Sequence, residues 1–372
     1  MNKFDVVEKI SAGNLIKALI SKPVLLEQVL EEAGVIIKGE WHFSSFNWGR
    51  NALYALLKSL PFKTIHFPAF TCPVLTEAAL AADKKVELLE VDLDTFNLDF
   101  EKLPAKNPEC LAAVHTFGNP IDISQLRKRY PKTYIIEDCA HAIFSKINDK
   151  LVGSLGDAIL FSLYKQVANL NGAILLTKKP LRLEQKEKSL CFFWPRVIFK
   201  TSGWHHLLIN FLRRRYIDTL EDRSFSSAKT ASFLANNLFS LGMGKLKEER
   251  EERRRVADWY FEAVKSNQYL QAQLPADESE PSYYQFVVFL KPEFISIRDK
   301  VIRNLRKQNI FLDRLWYSAP ITEDRFASFQ KKCPKALLLA RSVISLPTNP
   351  GLRKKDVISL VKKLEHEITG LL

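Results

Sequence analysis

From residue 50 to residue 180 short apolar runs alternate with helical patterns, and this alternation limits the possible fold more than any other feature of the chain. NALYALLKSL (51–60) places Leu53, Leu56, Leu57 and Leu60 on one helical face. TIHFPAF (64–70) reads as a strand closed by a proline turn, and PVLTEAALAAD (73–83) as a helix that tolerates Pro73 in its first turn. VELLEVD (86–92) and LAAVHTF (111–117) are strands, and ISQLRKRYP (123–131) is a helix halted by proline. TYIIED (133–138), AILFSL (158–163) and GAILLTK (172–178) complete the strand series. Such alternation predicts an α/β fold, a mostly parallel sheet flanked by helices. Ligands of these sheets bind outside the carboxyl ends of the strands.

The 372 residues exceed the roughly 250–300 that one core usually holds, so two domains are expected. The pattern changes near residue 245, where KLKEEREERRRVADWYFEAVKS (245–266) reads as a long charged helix. Beyond it SYYQFVVFLK (282–291) is a strand, and IRDKVIRNLRKQN (297–309) and KDVISLVKKLEHEI (355–368) are helices. Residues 1–245 are therefore expected to form a large domain, with an N-terminal arm over 1–43, and residues 246–372 a smaller α+β domain.

No apolar run reaches the roughly 20 residues needed to span a bilayer, and the acid-bearing N-terminus does not read as a secretory leader. The cysteines at 72, 110, 139, 191 and 333 are odd in number and form no CxxC pair. That predicts reduced thiols, a cytoplasmic protein and no metal site. The net charge of +13 is uneven: residues 1–180 hold 21 Lys/Arg against 20 Asp/Glu, and the remaining 192 hold 34 against 22. An anionic partner is thus to be sought in the second half.

The stretch IIEDCAHAIF (135–144) runs from a strand into Glu137 and Asp138, with His141 three residues after the second acid. In FSLYKQVANLNGAILL (161–176) Lys165 directly follows another strand. A lysine near a strand-end carboxylate is read first as an ordinary ion pair. The sharper reading is a lysine that holds the aldehyde of pyridoxal 5'-phosphate as a Schiff base, with Asp138 facing the pyridine nitrogen. Such a site also needs phosphate donors. GRNALYALL (49–57) offers a glycine opening a helix, whose N-terminus attracts anions, with Arg50 as an added cation.

From about residue 44 to the C-terminus the chain resembles the DegT/DnrJ-type, sugar-nucleotide aminotransferase-like family of fold type I pyridoxal phosphate enzymes. PAFTCPVLTEAALAADKKVELLEVDLDTFNLD (68–99) is similar to the family block that begins P-S-F-T and ends D-I-D-x-x-T-x-N. VHTFGNPIDI (114–123), IIEDCAHA (135–142), LVGSLGDAILFSL (151–163) and VISLPTNPGLRKKDVISLVKKL (343–364) resemble four further blocks in the family's order. The resemblance implies a seven-stranded, mostly parallel sheet. It also implies roles: Lys165 for the Schiff base, Asp138 for the ring nitrogen, His141 for the ring and its 3-hydroxyl, and Gly49, Arg50, Asn51 and Ser162 for the phosphate. Glu137 is expected to be structural. The chain departs from the pattern in four places. Lys165 follows Ser162 by three residues where the family usually has five, and the G-G after the lysine becomes Asn171-Gly172. Cys72 stands near the usual ring-stacking aromatic, where a packed thiol is expected, and the G-x-N-x-R-M block is not recognisable in RSFSSAKTASF (223–233).

CFFWPRVIFKTSGWHHLLINFLRRRYI (191–217) holds five Lys/Arg, two tryptophans and no acid. It reads as a basic insertion packed on the large domain, or alternatively as an interfacial segment touching an anionic membrane. The adjacent His205 and His206 are poor metal ligands as a pair. The expected function is a homodimeric pyridoxal phosphate-dependent aminotransferase that moves an amino group from an amino acid donor to a keto-sugar or related carbonyl compound, in cell-surface polysaccharide or secondary-metabolite biosynthesis. A dehydratase or other lyase of the same fold, and a non-catalytic descendant binding an anionic surface or nucleic acid, remain as alternatives. Nucleic acid is not the expected partner, because Asp138, His141, Ser162 and Lys165 are all present.

Overall fold

The computed structural model describes residues 10–36, 41–165, 167–180, 225 and 230–372. The basic segment 191–217, with its two readings, lies outside these residues, as does most of 223–233. The N-terminal arm holds two short helices, α1 (Ala12–Ile20) and α2 (Leu26–Glu32). Ser11 starts the first by accepting a hydrogen bond from the Asn14 N–H at 3.0 Å. Then follow β1 (His42–Phe46), α3 (Gly49–Ser59), β2 (Thr64–Pro68), α4 (Pro73–Ala81), β3 (Lys85–Leu89) and β4 (Cys110–Val114). Next come α5 (Ile123–Arg129), β5 (Tyr134–Asp138), a hairpin of β6 (Lys146–Ile147) and β7 (Lys150–Leu151), β8 (Ala158–Ser162) and β9 (Ala173–Thr177).

Seven of these strands form one sheet in the order β1-β9-β8-β5-β4-β2-β3. β3, β2, β4, β5 and β8 pair parallel, and β9 runs antiparallel to both β8 and β1. β4, β5, β8 and β9 sit in the middle, and β4, β8 and β9 are buried along their full length. Burial on both faces explains why these strands read as continuous apolar runs rather than alternating ones. The carboxyl ends of β5 and β8 lie side by side, with Asp138 and Ser162 as their last residues.

The long helix α6 runs from Phe233 to Val264, beginning twelve residues before the expected start. Ser232 caps it, accepting from the Ala235 N–H at 3.2 Å, and the early part is apolar rather than charged. Gly242, inside this early part, allows close packing. A Cβ at that position would stand 2.0 Å from Val167 Cγ1. Phe239, Met243 and Leu246 pack with α2 and one face of the large sheet, Leu234 and Leu238 pack with α1, and Val256, Tyr260 and Val264 join a second core.

That second core is built on a three-stranded antiparallel sheet of β10 (Leu270–Ala272), β12 (Phe286–Leu290) and β13 (Val343–Leu346). It is covered by α7 (Arg298–Lys307) and α9 (Lys354–Thr369). A short strand, β11 (Ser279–Glu280), pairs back to β6. Helix α8 (Pro334–Ser342), together with Ala319, Ile321 and Phe326, packs instead into the core beneath the large sheet. Among the described residues no helix is long and apolar enough to cross a membrane.

Candidate active site

The strand ends, the start of α3 and a loop from the C-terminal third together line one pocket. It encloses about 690 Å³ of non-atom space, part of it open to solvent. Gly49, Arg50, Asp138, His141, Ser162 and Lys165 all line it, so the structure brings six of the seven expected residues together. Asn51 is the exception. Its side-chain amide donates to Asn47 Oδ1 at 2.7 Å and its N–H to the Trp48 carbonyl at 3.1 Å. It is thereby turned into the first turn of its own helix and does not line the pocket.

Lys165 reaches the pocket despite its short spacing from Ser162, because the strand ends at Ser162 and the chain turns at once. Its Nζ lies 3.0 Å from His141 Nε2. Burial works against the charge on Lys165, but Tyr164, Cys72, Asp138 and Tyr284 outweigh it and hold the amine above the usual lysine range. Among those four only Asp138 is ordinarily an anion at neutral pH. Asp138 is buried, and Oδ1 accepts the Ala140 N–H at 2.9 Å. Burial raises its carboxyl above the ordinary value, with the Lys165 charge pulling the other way. Burial, reinforced by Lys165, pushes the His141 ring well below the usual histidine value, so it is neutral.

Ser162 is buried, and its Oγ has no hydrogen-bond partner. An unsatisfied buried hydroxyl is costly, and one on a residue that lines a pocket is a place for a ligand oxygen. At the start of α3, Trp48 gives no side-chain cap. Arg50, buried and 5.7 Å from the Trp48 ring centre, adds a cation where the helix dipole is already positive. No acid lies in that first turn. A positive helix end and a guanidinium thus stand side by side, and both attract an anion. An oxygen-rich anion at the helix start and an aldehyde at Lys165 are what these donors can take, so the residues fit a phosphorylated pyridoxal.

Several pocket residues were not singled out in the sequence. Trp48, Tyr164 and Trp316 form aromatic walls, with Trp48 and Tyr164 edge to face at 5.4 Å. Trp316 comes from far along the chain and has φ of 55°, a sparsely populated region for a bulky residue. His115, at the end of β4, had one available signal, its place at the strand end. Cys72, which the sequence did single out as a packed thiol, lines the pocket just before α4, and burial raises its thiol above the usual range.

Glu137 answers a structural need. It accepts N–H groups from Gly153 (2.6 Å), Leu155 (3.2 Å) and Gly156 (2.9 Å), and lies 3.1 Å from His115 Nε2. The Ile121 N–H donates to His115 Nδ1 at 3.0 Å, so Nε2 is the ring nitrogen that donates to the carboxylate. Gly156 permits the close turn, since a Cβ there would stand 2.9 Å from Glu137 Cβ. Cys139 lies near enough to His115 and Glu137 to complete a metal-ligand set, but both ring nitrogens and both carboxylate oxygens are already engaged. Glu137→Leu should leave three N–H groups and His115 without their acceptor and lower unfolding stability by about 3 kcal/mol or more, measured by denaturant unfolding. Burial alone would raise the Glu137 carboxyl, but His115 and the loop N–H groups hold it below the ordinary value. Its contribution should therefore be complete above the unfolded carboxylate range, about pH 4.3, and be lost as pH falls through the lower folded value. A Leu variant as stable as wild type would remove Glu137 from that role.

A parallel sheet with one reversed strand, carrying an acid and a lysine at adjacent strand ends opposite a helix N-terminus, defines a transaminase-type fold. Residues 27–365 match the model of the DegT/DnrJ/EryC1/StrS aminotransferase family, and the chain belongs to that family. It is 25% identical over 334 residues, 87% of this chain and 83% of the relative, to a UDP-N-acetyl-3-dehydro-alpha-D-glucosamine 3-aminotransferase of Acidithiobacillus ferrooxidans. A dTDP-3-amino-3,6-dideoxy-alpha-D-galactopyranose transaminase of Aneurinibacillus thermoaerophilus is 25% identical over 292 residues, 75% of this chain and 72% of the relative. Among solved structures, Helicobacter pylori PseC, an aminotransferase involved in the biosynthesis of pseudoaminic acid, has a TM-score of 0.74 at 17% identity, covering 99% of each chain.

Proposed function

We propose that this aminotransferase uses pyridoxal 5'-phosphate to move an amino group from an amino acid donor onto a keto-sugar carried by a nucleotide. The observation that carries the reading is the Lys165 amine set among Asp138, His141 and Ser162 in one pocket. Both relatives named above act on nucleotide-linked sugars, which supports the acceptor class. Lys165 would hold the aldehyde, Asp138 the ring nitrogen, His141 the ring edge, and Arg50, Ser162 and the α3 N-terminus the phosphate. When bound, the cofactor supplies a carrier for the amino group and a ring that takes up electrons as a proton leaves the substrate carbon.

The chain's own residues do the rest. Lys165, released from the aldehyde, takes up and returns protons at Nζ. Asp138 keeps a positive charge at the ring nitrogen, and its burial makes that attraction strong. Trp48, Tyr164 and Trp316 wall the pocket with aromatic surface. A lyase of the same fold is the weaker reading, because Lys165 stands in the pocket as a base for both half-reactions.

The division near residue 245 belongs to this proposal, supported by the two cores that α6 joins. So does a cytoplasmic homodimer, the compartment supported by the unpaired Cys72, Cys110, Cys139 and Cys333. The test is incubation of the purified protein with glutamate and a panel of UDP- and dTDP-linked keto-sugars, followed by mass spectrometry. A panel without any aminated product, from protein that binds pyridoxal phosphate, would exclude this acceptor class. The phosphate contacts have their own check. Arg50→Gln should weaken pyridoxal phosphate about ten- to a hundredfold, the scale of one charge-assisted hydrogen bond, and leave pyridoxal itself unchanged. Equal losses for both ligands in equilibrium binding would show that Arg50 does not hold the phosphate.

A further inference from the structure

We infer that His141 is the positioning residue of Lys165: its ring Nε2 accepts a hydrogen bond from the lysine amine and holds that amine toward the strand ends before cofactor arrives. The inference deepens the reading of the pocket given above and rests on it. Its first ground is the 3.0 Å separation of Lys165 Nζ and His141 Nε2. Its second is how firmly the ring is fixed. Tyr284 lies nearly parallel to it, 4.6 Å away at 12°, with Trp316 at 5.6 Å and 20° and Phe117 at 5.9 Å and 17°. The His141 carbonyl accepts the Ser282 hydroxyl at 2.7 Å, and the Ser282 N–H donates to Ser145 Oγ at 3.0 Å. Three separate segments of chain thus clamp one imidazole, and a clamped ring aims its Nε2 in one direction.

A neutral imidazole suits the task better than an acid would. Lysine must lose a proton before its nitrogen can attack an aldehyde. A carboxylate at hydrogen-bond distance would lock the ammonium by charge, whereas a neutral acceptor orients it and adds only one hydrogen bond. Burial and the Lys165 charge both keep His141 neutral. The other titratable groups facing Lys165 are Cys72 before α4, Asp138 on β5, Tyr164 in its own turn and Tyr284 before β12. Of these only Asp138 is a residue type ordinarily anionic at neutral pH. His141 therefore sets the direction of the amine, and Asp138 supplies the charge.

The test is done on protein prepared without pyridoxal phosphate. The rate at which trinitrobenzenesulfonate modifies Lys165 is followed peptide by peptide across pH, and the midpoint is read for wild type, His141→Gln and His141→Leu. Glutamine keeps an acceptor, so its midpoint should lie close to wild type. Leucine removes the acceptor and should lower the midpoint by about one pH unit, a tenfold rise in the unprotonated fraction. Equal midpoints in all three proteins overturn the inference, even if the leucine variant melts earlier. Should the leucine variant fail to fold, His141→Asn, one methylene too short to reach, replaces it: a lower midpoint than in His141→Gln supports the inference, and the same midpoint overturns it. Borohydride fixation of pyridoxal phosphate to wild type separates the two layers. Fixation at another lysine overturns the reading of the pocket and this inference with it. Fixation at Lys165 with equal midpoints overturns only the role of His141.

Discussion

Lys165→Ala is expected to abolish covalent fixation of pyridoxal phosphate and to lower transamination by about 10⁴-fold or more, the upper range for loss of a positioned acid–base group. Attachment of the carrier goes with it. The fold should survive. The hydrogen-bond partner of the amine is the neutral His141 ring, so no ion pair in direct contact is broken. One electrostatic side effect is expected: Asp138 loses the charge that opposes its burial, so its carboxyl should rise further above the ordinary value. The measurements are borohydride reduction with peptide mapping, turnover, and thermal unfolding. A variant that still turns over, or an adduct mapped to a different lysine, would remove Lys165 from the centre of the site.

Asp138→Asn keeps the shape of the side chain and an acceptor for the Ala140 N–H, which now lies 2.9 Å from Oδ1. What it removes is the negative charge. An amide cannot hold a protonated ring nitrogen, so the ring loses much of its capacity to withdraw electrons. Turnover should fall by about 10²-fold or more, with cofactor still bound though more weakly. Activity within a fewfold of wild type would leave Asp138 as a strand-end acid and nothing more.

The central strands were legible because they are short apolar runs bounded by turns, and the end of one marked Asp138, whereas Ser162 came from the family resemblance, its strand having been read one residue too long. Periodicity could not show that β9 runs against β8, since strand direction depends on which neighbour pairs. β1, HFSSF, went unread because only its two phenylalanines are apolar and it lies at the sheet edge. Asn51 was assigned by its neighbours in the motif, but side-chain direction on the first helical turn set it against Asn47. Trp316 and Tyr284 stand more than a hundred residues from Asp138 and Lys165 in sequence, and only tertiary folding brings them to the ring of His141. The early start of α6 went unread because the helix was recognised by its charged run from residue 245, whereas its first twelve residues are mostly apolar and packed, Gly242 against Val167.

Helix α6 spans 32 residues, a rod of roughly 48 Å at 1.5 Å per residue. Near its middle Arg250 donates to the Phe144 carbonyl on one side and to Glu280 on the other. A beam fastened at its midpoint, with each end embedded in a different core, makes a poor hinge. Opening of the pocket is therefore left to the short segments at its rim, the one bearing Trp316 among them. The same beam ties the fates of the two cores together. Loosening either one strips packing from half of a single continuous helix, so heat or denaturant should melt them in one step rather than two.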